Sequence, residues 1–149
     1  MYEEYTRQSL PSKRYRELLG SALCVFNSNN SFVIENILRS DQNDEFNWHD
    51  LVDRTSGKLS EPIKATITQQ SNDEIASIFS KLVEKRNRII HSFQVTAPQN
   101  IPTPDDSDKQ ILATKHRDHR QEYITEDYLL VFIKENEELS SALHAFRGY

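Results

Sequence analysis

The chain contains one cysteine, Cys24, and three glycines among its 149 residues. A single cysteine excludes an internal disulfide framework and a thiolate metal cluster. So few glycines argue against a glycine-rich phosphate loop and against a turn-dense β-sandwich. No apolar run reaches the roughly 18 residues that a transmembrane helix needs, and the first residues lack the basic and apolar regions of a signal peptide. We therefore expect a cytoplasmic protein without a membrane partner.

Several catalytic signatures are also missing from the sequence. The zinc-protease HExxH, the dinucleotide-binding GxGxxG, the Walker phosphate loop and a Ser-His-Asp spacing do not occur. His116 and His119 lie three residues apart, but they have no companion pair of ligands, so we assign them to a solvated turn. The sequence thus predicts no metal site and no cofactor.

The charge is acidic overall but uneven along the chain. The net charge is −5, with 36% hydrophobic and 28% charged residues, which is typical of a folded protein. Residues 81–120 hold eight Lys or Arg against five Asp or Glu, so this segment carries +3 and the remainder carries −8. A basic segment on an acidic body is compatible with a local site for a polyanion. Scattered solvated charges are the alternative, and charge alone does not choose between the two.

Helical periodicity dominates the sequence and predicts one mainly α-helical domain over residues 1–149. A first helix follows Ser12. The Asn27–Asn30 run is a natural break before a second helix, although one long helix can also continue through it. The second helix is marked by Phe32, Val33, Ile34, Ile37 and Leu38. Trp48, Leu51 and Val52 indicate a short helix, and Ser60 with Pro62 indicates the start of another.

The second half of the chain is predicted to hold two more helices. Ser71 or Asn72 caps the first of them, and Thr125 starts the last, whose apolar stripe runs from Leu129 to Phe146. Segment 94–110 contains three prolines and reads as an exposed loop. Segments 111–115 and 122–124 favour a small β-hairpin before the last helix. The expected architecture is an up-and-down bundle of four to five helices.

The densest group of chemically active side chains lies late in the helix that starts near residue 72. With Ile75 set to zero and about 100° per residue, the apolar residues fall within about 60° of one line, and Arg86 falls about 20° from it. The stripe predicted to be buried comprises Ile75, Ile78, Phe79, Leu82, Ile89, Ile90 and Phe93. A guanidinium in an apolar stripe is costly unless a partner satisfies it. Asn87 and His91 are four residues apart, so they can face the same volume.

Arginine, asparagine and histidine are the side chains that metal-independent RNA cleavage needs. An imidazole can take or give a proton at cellular pH, so His91 can take the proton of a ribose 2′-OH, whose oxygen then attacks the adjacent phosphorus. The planar fork of Arg86 suits the phosphate oxygens and stabilises the charged transition state. An acid must then protonate the leaving 5′-oxygen. DNA lacks the 2′-OH and would not be cleaved by this route.

One His91 supplies one proton-transfer group at a time. Two-fold pairing of the motif helices would bring in a second His91, giving an acid and a base around one phosphate, so the chemistry favours a homodimer. The alternative interpretation is that Arg86 and His91 are ion-paired structural residues, which on base rates is the commoner role of such side chains.

The segment Arg86-Asn87-Arg88-Ile89-Ile90-His91 resembles the signature of the HEPN superfamily, an Arg followed after four to six residues by His. The wider chain, from Tyr5-Thr6-Arg7 through Asn27–Asn30 to Leu143-His144-Ala145-Phe146-Arg147-Gly148, resembles a plasmid-associated bacterial group within it. This resemblance implies a helical bundle, a homodimer with paired motifs, and a metal-independent endoribonuclease of the toxin–antitoxin or phage-defence type. RNA and an antitoxin or regulatory protein are then the expected partners.

The resemblance also assigns roles to individual residues. Arg86 would bind the phosphate, Asn87 would orient the reacting groups, and His91 would be the acid–base group. Lys85 and Arg88 are additional cations that would bind substrate.

On the second predicted helix, Glu35 and Asn36 are candidates to orient the motif from across the bundle. Two features depart from the expectation of an RNA enzyme, since the chain has no second domain and its overall charge is acidic. A non-catalytic HEPN module for dimerisation, ligand binding or nucleic-acid binding is the alternative function.

Overall fold

The computed structural model describes residues 2–104 and 108–148. Three long helices form the body of this part of the chain: α1 (Lys13–Ser40), α5 (Glu74–Ile90) and α6 (Glu126–Arg147). Between α1 and α5 lie the short helices α2 (Trp48–Asp53), α3 (Ser60–Ala65) and α4 (Ile67–Gln70), and single 3-10 turns occupy Tyr2–Tyr5 and Ser56–Leu59. Between α5 and α6 lie the strands β1 (Phe93–Thr96), β2 (Gln110–Lys115) and β3 (Gln121–Ile124). The predicted class, mainly helical with a small hairpin before the last helix, is confirmed.

Helix α1 continues without a break through the polar run at residues 27–30. Its N-terminus is capped as predicted, because the Ser12 side chain accepts a hydrogen bond from the backbone N–H of Tyr15. Asn29 is buried in the middle of the run, and its Nδ2 donates to the backbone oxygen of Asn136 at 2.8 Å and to its Oδ1 at 3.0 Å. The run is therefore compatible with one helix because Asn29 is satisfied across the interface with α6.

The two longest helices, α1 and α6, run parallel to each other. Arg14 pairs with Glu126 near their N-termini, at 3.2 Å, and Glu35 pairs with Arg147 near their C-termini, at 2.9 Å. Thr125 caps α6 as predicted, with its side chain accepting from the backbone N–H of Tyr128. Parallel neighbours need a long connection, which the rest of the chain supplies.

Helix α5 packs against α1 and α6 in the opposite direction. Its first turn, at Ile75, shares a surface cleft with Phe146 at the end of α6, whereas Lys85 pairs with Glu135 nearer the start of α6. The three long helices therefore alternate in direction along the chain, and their apolar stripes meet in one core. The largest fully buried side chains are Phe26, Phe132, Ile37, Leu51, Leu59, Ile63, Ile67, Leu82, Ile124, Leu129, Leu139 and Leu143.

The predicted stripe of α5 is buried for most of its length but not at its end. Ile75, Phe79, Leu82 and Ile89 are buried, and Ile78 packs partly buried against them, whereas Ile90 is 51% exposed and Phe93 is 40% exposed. The prediction was wrong for both residues. Ile90 lies at the edge of the stripe, about 60° from its line, and α5 ends there. Phe93 therefore lies on β1 rather than on the helix.

The N-terminus of α5 also differs in detail from the prediction. Asp73 takes the cap position without a side-chain cap bond, and the Asn72 side chain instead accepts from the backbone N–H of Glu74 at 2.9 Å. Asn72 thus forms a local turn just before the helix.

The three strands form an antiparallel sheet in the order β1-β2-β3. The hairpin of β2 and β3 matches the predicted one, whereas β1 was wrongly assigned to a loop that began at residue 94. Ala97, just after β1, is 5% exposed, which also contradicts an exposed loop at this point. A short edge strand followed by proline-rich chain lacks the alternating pattern that would identify it.

Tyr15 joins α1 to this sheet. Its hydroxyl donates to the backbone oxygen of Ile124 at 2.5 Å and accepts from the backbone N–H of Leu112 at 3.0 Å. Burial raises the pKa of Tyr15 to about 12. None of the helices in the described residues is both long enough and apolar enough to cross a membrane.

Candidate functional site

The Arg-Asn-His motif occupies the last turn of α5 and the residue that ends it. His91 adopts φ −95° and ψ 33°, and its backbone N–H donates to the oxygen of Asn87 at 2.9 Å. Two residues later the chain enters β1, so His91 stands at the junction between helix and sheet. Its side chain is exposed and has no hydrogen bond or ion pair to any residue in the described ranges. The imidazole is therefore accessible to a ligand.

Arg86 lies on the opposite, core-facing side of α5. Its guanidinium carbon is 5.1 Å from the centroid of the Phe26 ring, which also stacks on Phe79 at 6.1 Å and on Phe132 at 6.2 Å. Among the described residues no carboxylate pairs with Arg86, and its Nε atom is buried without a hydrogen-bond partner. Burial lowers the pKa of Arg86. Arg86 is thus a half-buried cation stacked on a ring, with unused donor capacity.

The protomer does not place Arg86 and His91 on one helical face. Five residues at about 100° each separate their directions by about 140°. Asn87 and His91 differ by only about 40°, and Glu84 and Arg88 lie within about 60° of His91 on the same side. One face of α5 therefore carries Asn87, His91 and Arg88, while Arg86 points toward the core.

The two additional cations of the motif both have partners. Lys85 forms an ion pair with Glu135 of α6, and its ammonium lies 5.9 Å from the centroid of the Tyr128 ring. Arg88 is held by its own helix and by the sheet, with Nε 3.4 Å from Glu84 and one terminal nitrogen donating to the oxygen of Lys115 at 2.9 Å. Lys85 faces α6, whereas Arg88 faces the β2–β3 hairpin.

Glu35 and Asn36 are not brought to the motif. Glu35 pairs with Arg147 at the end of α6. Asn36 is fully buried, its Nδ2 donates to the oxygen of Phe32 at 2.8 Å, and its Oδ1 has no partner. Asn36 lies ten residues beyond Phe26 on α1, which corresponds to roughly 15 Å along the helix axis. No hydrogen bond or ion pair among the described residues joins either side chain to Arg86 or His91.

A cleft of about 460 Å³ lies between α5 and the turn that joins β2 to β3. Glu84, Asn87 and Arg88 line its helix side, and residues 116–118 with Arg120 line its turn side. The sequence assigns the cations of this turn to a basic segment, but nothing in it indicates that they lie beside α5. The missed signal is the register of the hairpin, which sets Lys115 opposite Gln121 and thereby fixes where the turn begins.

Two histidines, His116 and His119, belong to the turn between β2 and β3. His116 Nε2 lies 2.9 Å from Glu122 Oε1, and His119 takes the left-handed conformation with φ 70°. In the described ranges no group of three or more His, Cys, Asp or Glu side chains is arranged to hold a metal ion.

Comparisons with known proteins return no relative, since no family model, no curated protein and no solved structure matches the chain.

Proposed function

We propose that this protein is a homodimeric, metal-independent endoribonuclease that uses Arg86, Asn87 and His91. One observation carries the proposal: five residues apart on α5 stand a half-buried guanidinium without a carboxylate partner and an exposed imidazole without any partner among the described residues. An unpaired, partly desolvated cation is costly in the free protein. A phosphate group from a substrate would satisfy it, since arginine binds phosphate oxygens through paired hydrogen bonds.

The chemistry requires one base and one acid. One His91 takes the proton from the ribose 2′-OH, and the 2′-oxygen forms a bond to the adjacent phosphorus. The bond from phosphorus to the 5′-oxygen breaks, and the second His91 of the dimer gives its proton to that oxygen. The products are a 2′,3′-cyclic phosphate and a 5′-hydroxyl. Arg86 stabilises the charge on the phosphoryl oxygens, and Asn87 orients the reacting groups.

Exposed apolar side chains next to His91 support the homodimer. Ile90 and Phe93 flank the motif and are 51% and 40% exposed, and Tyr123 is 40% exposed. Phe93 and Tyr123 both pair with Ala113 of β2, so their side chains lie on the same face of the sheet. Burial of these side chains between two copies would bring the two His91 residues near each other.

The proposal includes the HEPN-like assignment, a cytoplasmic location, and a role as a toxin or phage-defence nuclease restrained by an antitoxin or regulatory protein. The location follows from the composition of the sequence, and the other parts follow from the resemblance of the motif. A non-catalytic HEPN module is the second candidate, and one observation favours it. Arg86 stacks on Phe26 and diverges from His91 by about 140°, an arrangement that suits a structural arginine.

Cleavage of total cellular RNA in EDTA separates the two candidates. Wild type, Arg86→Ala, His91→Ala and the control His49→Ala, an exposed histidine outside the motif, are compared after light scattering confirms a dimer. We expect cleavage by wild type and the control alone, with 2′,3′-cyclic phosphate ends. Equal cleavage by His91→Ala would contradict the mechanism. A folded dimer that leaves RNA intact would favour the non-catalytic module.

A further inference from the structure

The turn between β2 and β3 presents cations that have no ion-pair partner among the described residues. Arg117 and Arg120 are exposed and line the cleft beside α5, and neither forms an ion pair within the described ranges. Arg88 adds a third guanidinium from the helix side. Among the described residues that line the cleft, the acidic ones are Glu84 and Asp118, and Glu84 already pairs with Arg88. The cleft therefore favours an anion, although the chain as a whole is acidic.

The backbone of this turn is fixed by three hydrogen bonds. The N–H of His116 donates to the oxygen of Arg120 at 2.8 Å, and the N–H of His119 donates to the oxygen of His116 at 3.0 Å. The N–H of Arg120 donates to Asp118 Oδ1 at 3.0 Å. Because the turn is closed in this way, Arg117 and Arg120 are held near the cleft, and binding a ligand orders only side chains.

We propose that this cleft binds the backbone of single-stranded RNA next to the bond that His91 cleaves, an inference that rests on the proposed ribonuclease function. Asn87 lines the cleft and lies about one helical turn before His91 on the same face. A chain held by Arg88, Arg117 and Arg120 can therefore continue toward the imidazole. A volume of about 460 Å³ suits part of one strand rather than a duplex.

The carboxylates in the cleft favour RNA over an acidic protein. Glu84 and Asp118 would repel the carboxylates of an acidic partner and the phosphates of RNA alike. RNA also carries donors that these carboxylates can accept from, namely the amino groups of bases and the ribose 2′-OH, whereas acidic side chains carry none. The Asn87 amide can both donate and accept. The mixture of guanidinium, amide and carboxylate groups fits a nucleotide chain better than a simple polyanion.

The test measures binding separately from cleavage. Fluorescence anisotropy follows a labelled single-stranded 2′-O-methyl RNA, which cannot be cut by 2′-OH attack, over a range of salt concentrations. The variants are Arg117→Ala/Arg120→Ala, its charge-preserving counterpart Arg117→Lys/Arg120→Lys, and the control Arg54→Ala/Lys58→Ala. The control removes the same charge from exposed positions outside the cleft lining.

We expect Arg117→Ala/Arg120→Ala to bind at least about tenfold more weakly. For this variant, the slope of log K for RNA binding against log salt concentration should become shallower by about 0.7 for each phosphate contact that is lost. The lysine variant should keep most of the salt dependence, and the control should bind as wild type does. Unchanged binding by Arg117→Ala/Arg120→Ala, or absence of RNA binding by wild type, would overturn the inference. Equal competition by poly-glutamate would also overturn it, in favour of an acidic protein partner.

Failure of the nuclease proposal can be distinguished from failure of the cleft as an RNA site. If wild type binds the 2′-O-methyl RNA through Arg117 and Arg120 but cuts no RNA, the cleft is a binding site and the nuclease proposal fails. If wild type cuts RNA and both arginine variants bind it normally, the nuclease proposal stands and the cleft is not its RNA site.

Discussion

The guanidinium of Arg86 lies over the ring of Phe26, 5.1 Å from its centroid, while its Nε atom has no hydrogen-bond partner. The ring offers a cation–π contact, but it does not replace the water that burial removes, and burial accordingly lowers the pKa of Arg86. No carboxylate in the described ranges completes the pairing. Among the described residues nothing offsets the burial of the Arg86 Nε atom, and under the proposed function the phosphate of a substrate would do so.

Replacing Arg86 with methionine should separate stability from function. Methionine fills similar apolar space over Phe26 without burying an unsatisfied donor. We therefore expect the free energy of unfolding of Arg86→Met to be about 1 kcal/mol higher than that of wild type. RNA cleavage should be lost. Urea denaturation measures the first effect and an RNA gel the second.

The matched control is Arg88→Met. Arg88 donates to the backbone oxygen of Lys115 and pairs with Glu84. The free energy of unfolding of Arg88→Met should therefore be about 1 kcal/mol lower than that of wild type. If Arg86→Met is also destabilised, Arg86 is a structural residue and the stability argument for a ligand is wrong.

Asn36 gives a second test of which polar residues are structural. It is fully buried, and among the described residues its Oδ1 has no hydrogen-bond partner and its Nδ2 donates to its own helix alone. Asn36→Leu should therefore raise the free energy of unfolding by about 1 kcal/mol. Cleavage should be unchanged, because Asn36 lies roughly 15 Å along α1 from the residue that contacts Arg86. A variant that is more stable but cuts RNA poorly would restore the orienting role predicted from the sequence.

The stability of the protein should fall in alkali through Tyr15. Its pKa is raised from 10.0 to about 12 in the folded protein, so the unfolded chain releases this proton first. The stabilisation is complete below pH 10 and is lost as the pH rises through 12. At neutral pH, Tyr15→Phe should lower the free energy of unfolding by about 1–3 kcal/mol, because the backbone oxygen of Ile124 and the backbone N–H of Leu112 lose the hydroxyl that they bond to.

The pH dependence checks that assignment. The difference in unfolding free energy between wild type and Tyr15→Phe should narrow between pH 10 and pH 12. Tyr128, whose pKa burial also raises to about 12, is present in both proteins and cancels in the comparison. A difference that stays constant over this range would show that the hydroxyl does not titrate as the structure implies.

The helical core could be predicted from the sequence because its apolar spacing is regular. Phe79, Leu82 and Ile89 recur at helical intervals and are buried as expected. Ile90 and Phe93 continue the same spacing, but the helix ends at His91, where the backbone turns toward β1. A helix terminus depends on tertiary context when no glycine or proline marks it.

The composition of the candidate site could be predicted better than its arrangement. The basic excess of segment 81–120 pointed toward Arg117 and Arg120, but only the hairpin register brings the turn beside α5. The spacing likewise predicts that Arg86 and His91 lie on the same short segment. It does not reveal that Phe26 holds Arg86 on the core side of α5. Contacts between residues far apart in sequence have no local signal.

A dimer with a single His91 tests how many histidines serve one phosphate. If one His91 acts as the base and the other as the acid, a heterodimer of wild type and His91→Ala lacks one of the two proton-transfer groups of the shared site. We expect its cleavage rate to fall by about 10²-fold or more. Two differently tagged copies, co-expressed and purified through both tags, give this species, and a heterodimer of wild type and His49→Ala controls for the tags. A rate near half that of wild type would mean that each protomer acts alone. The second proton donor would then belong to the same chain, and His116 is a candidate because it lines the same cleft as Asn87.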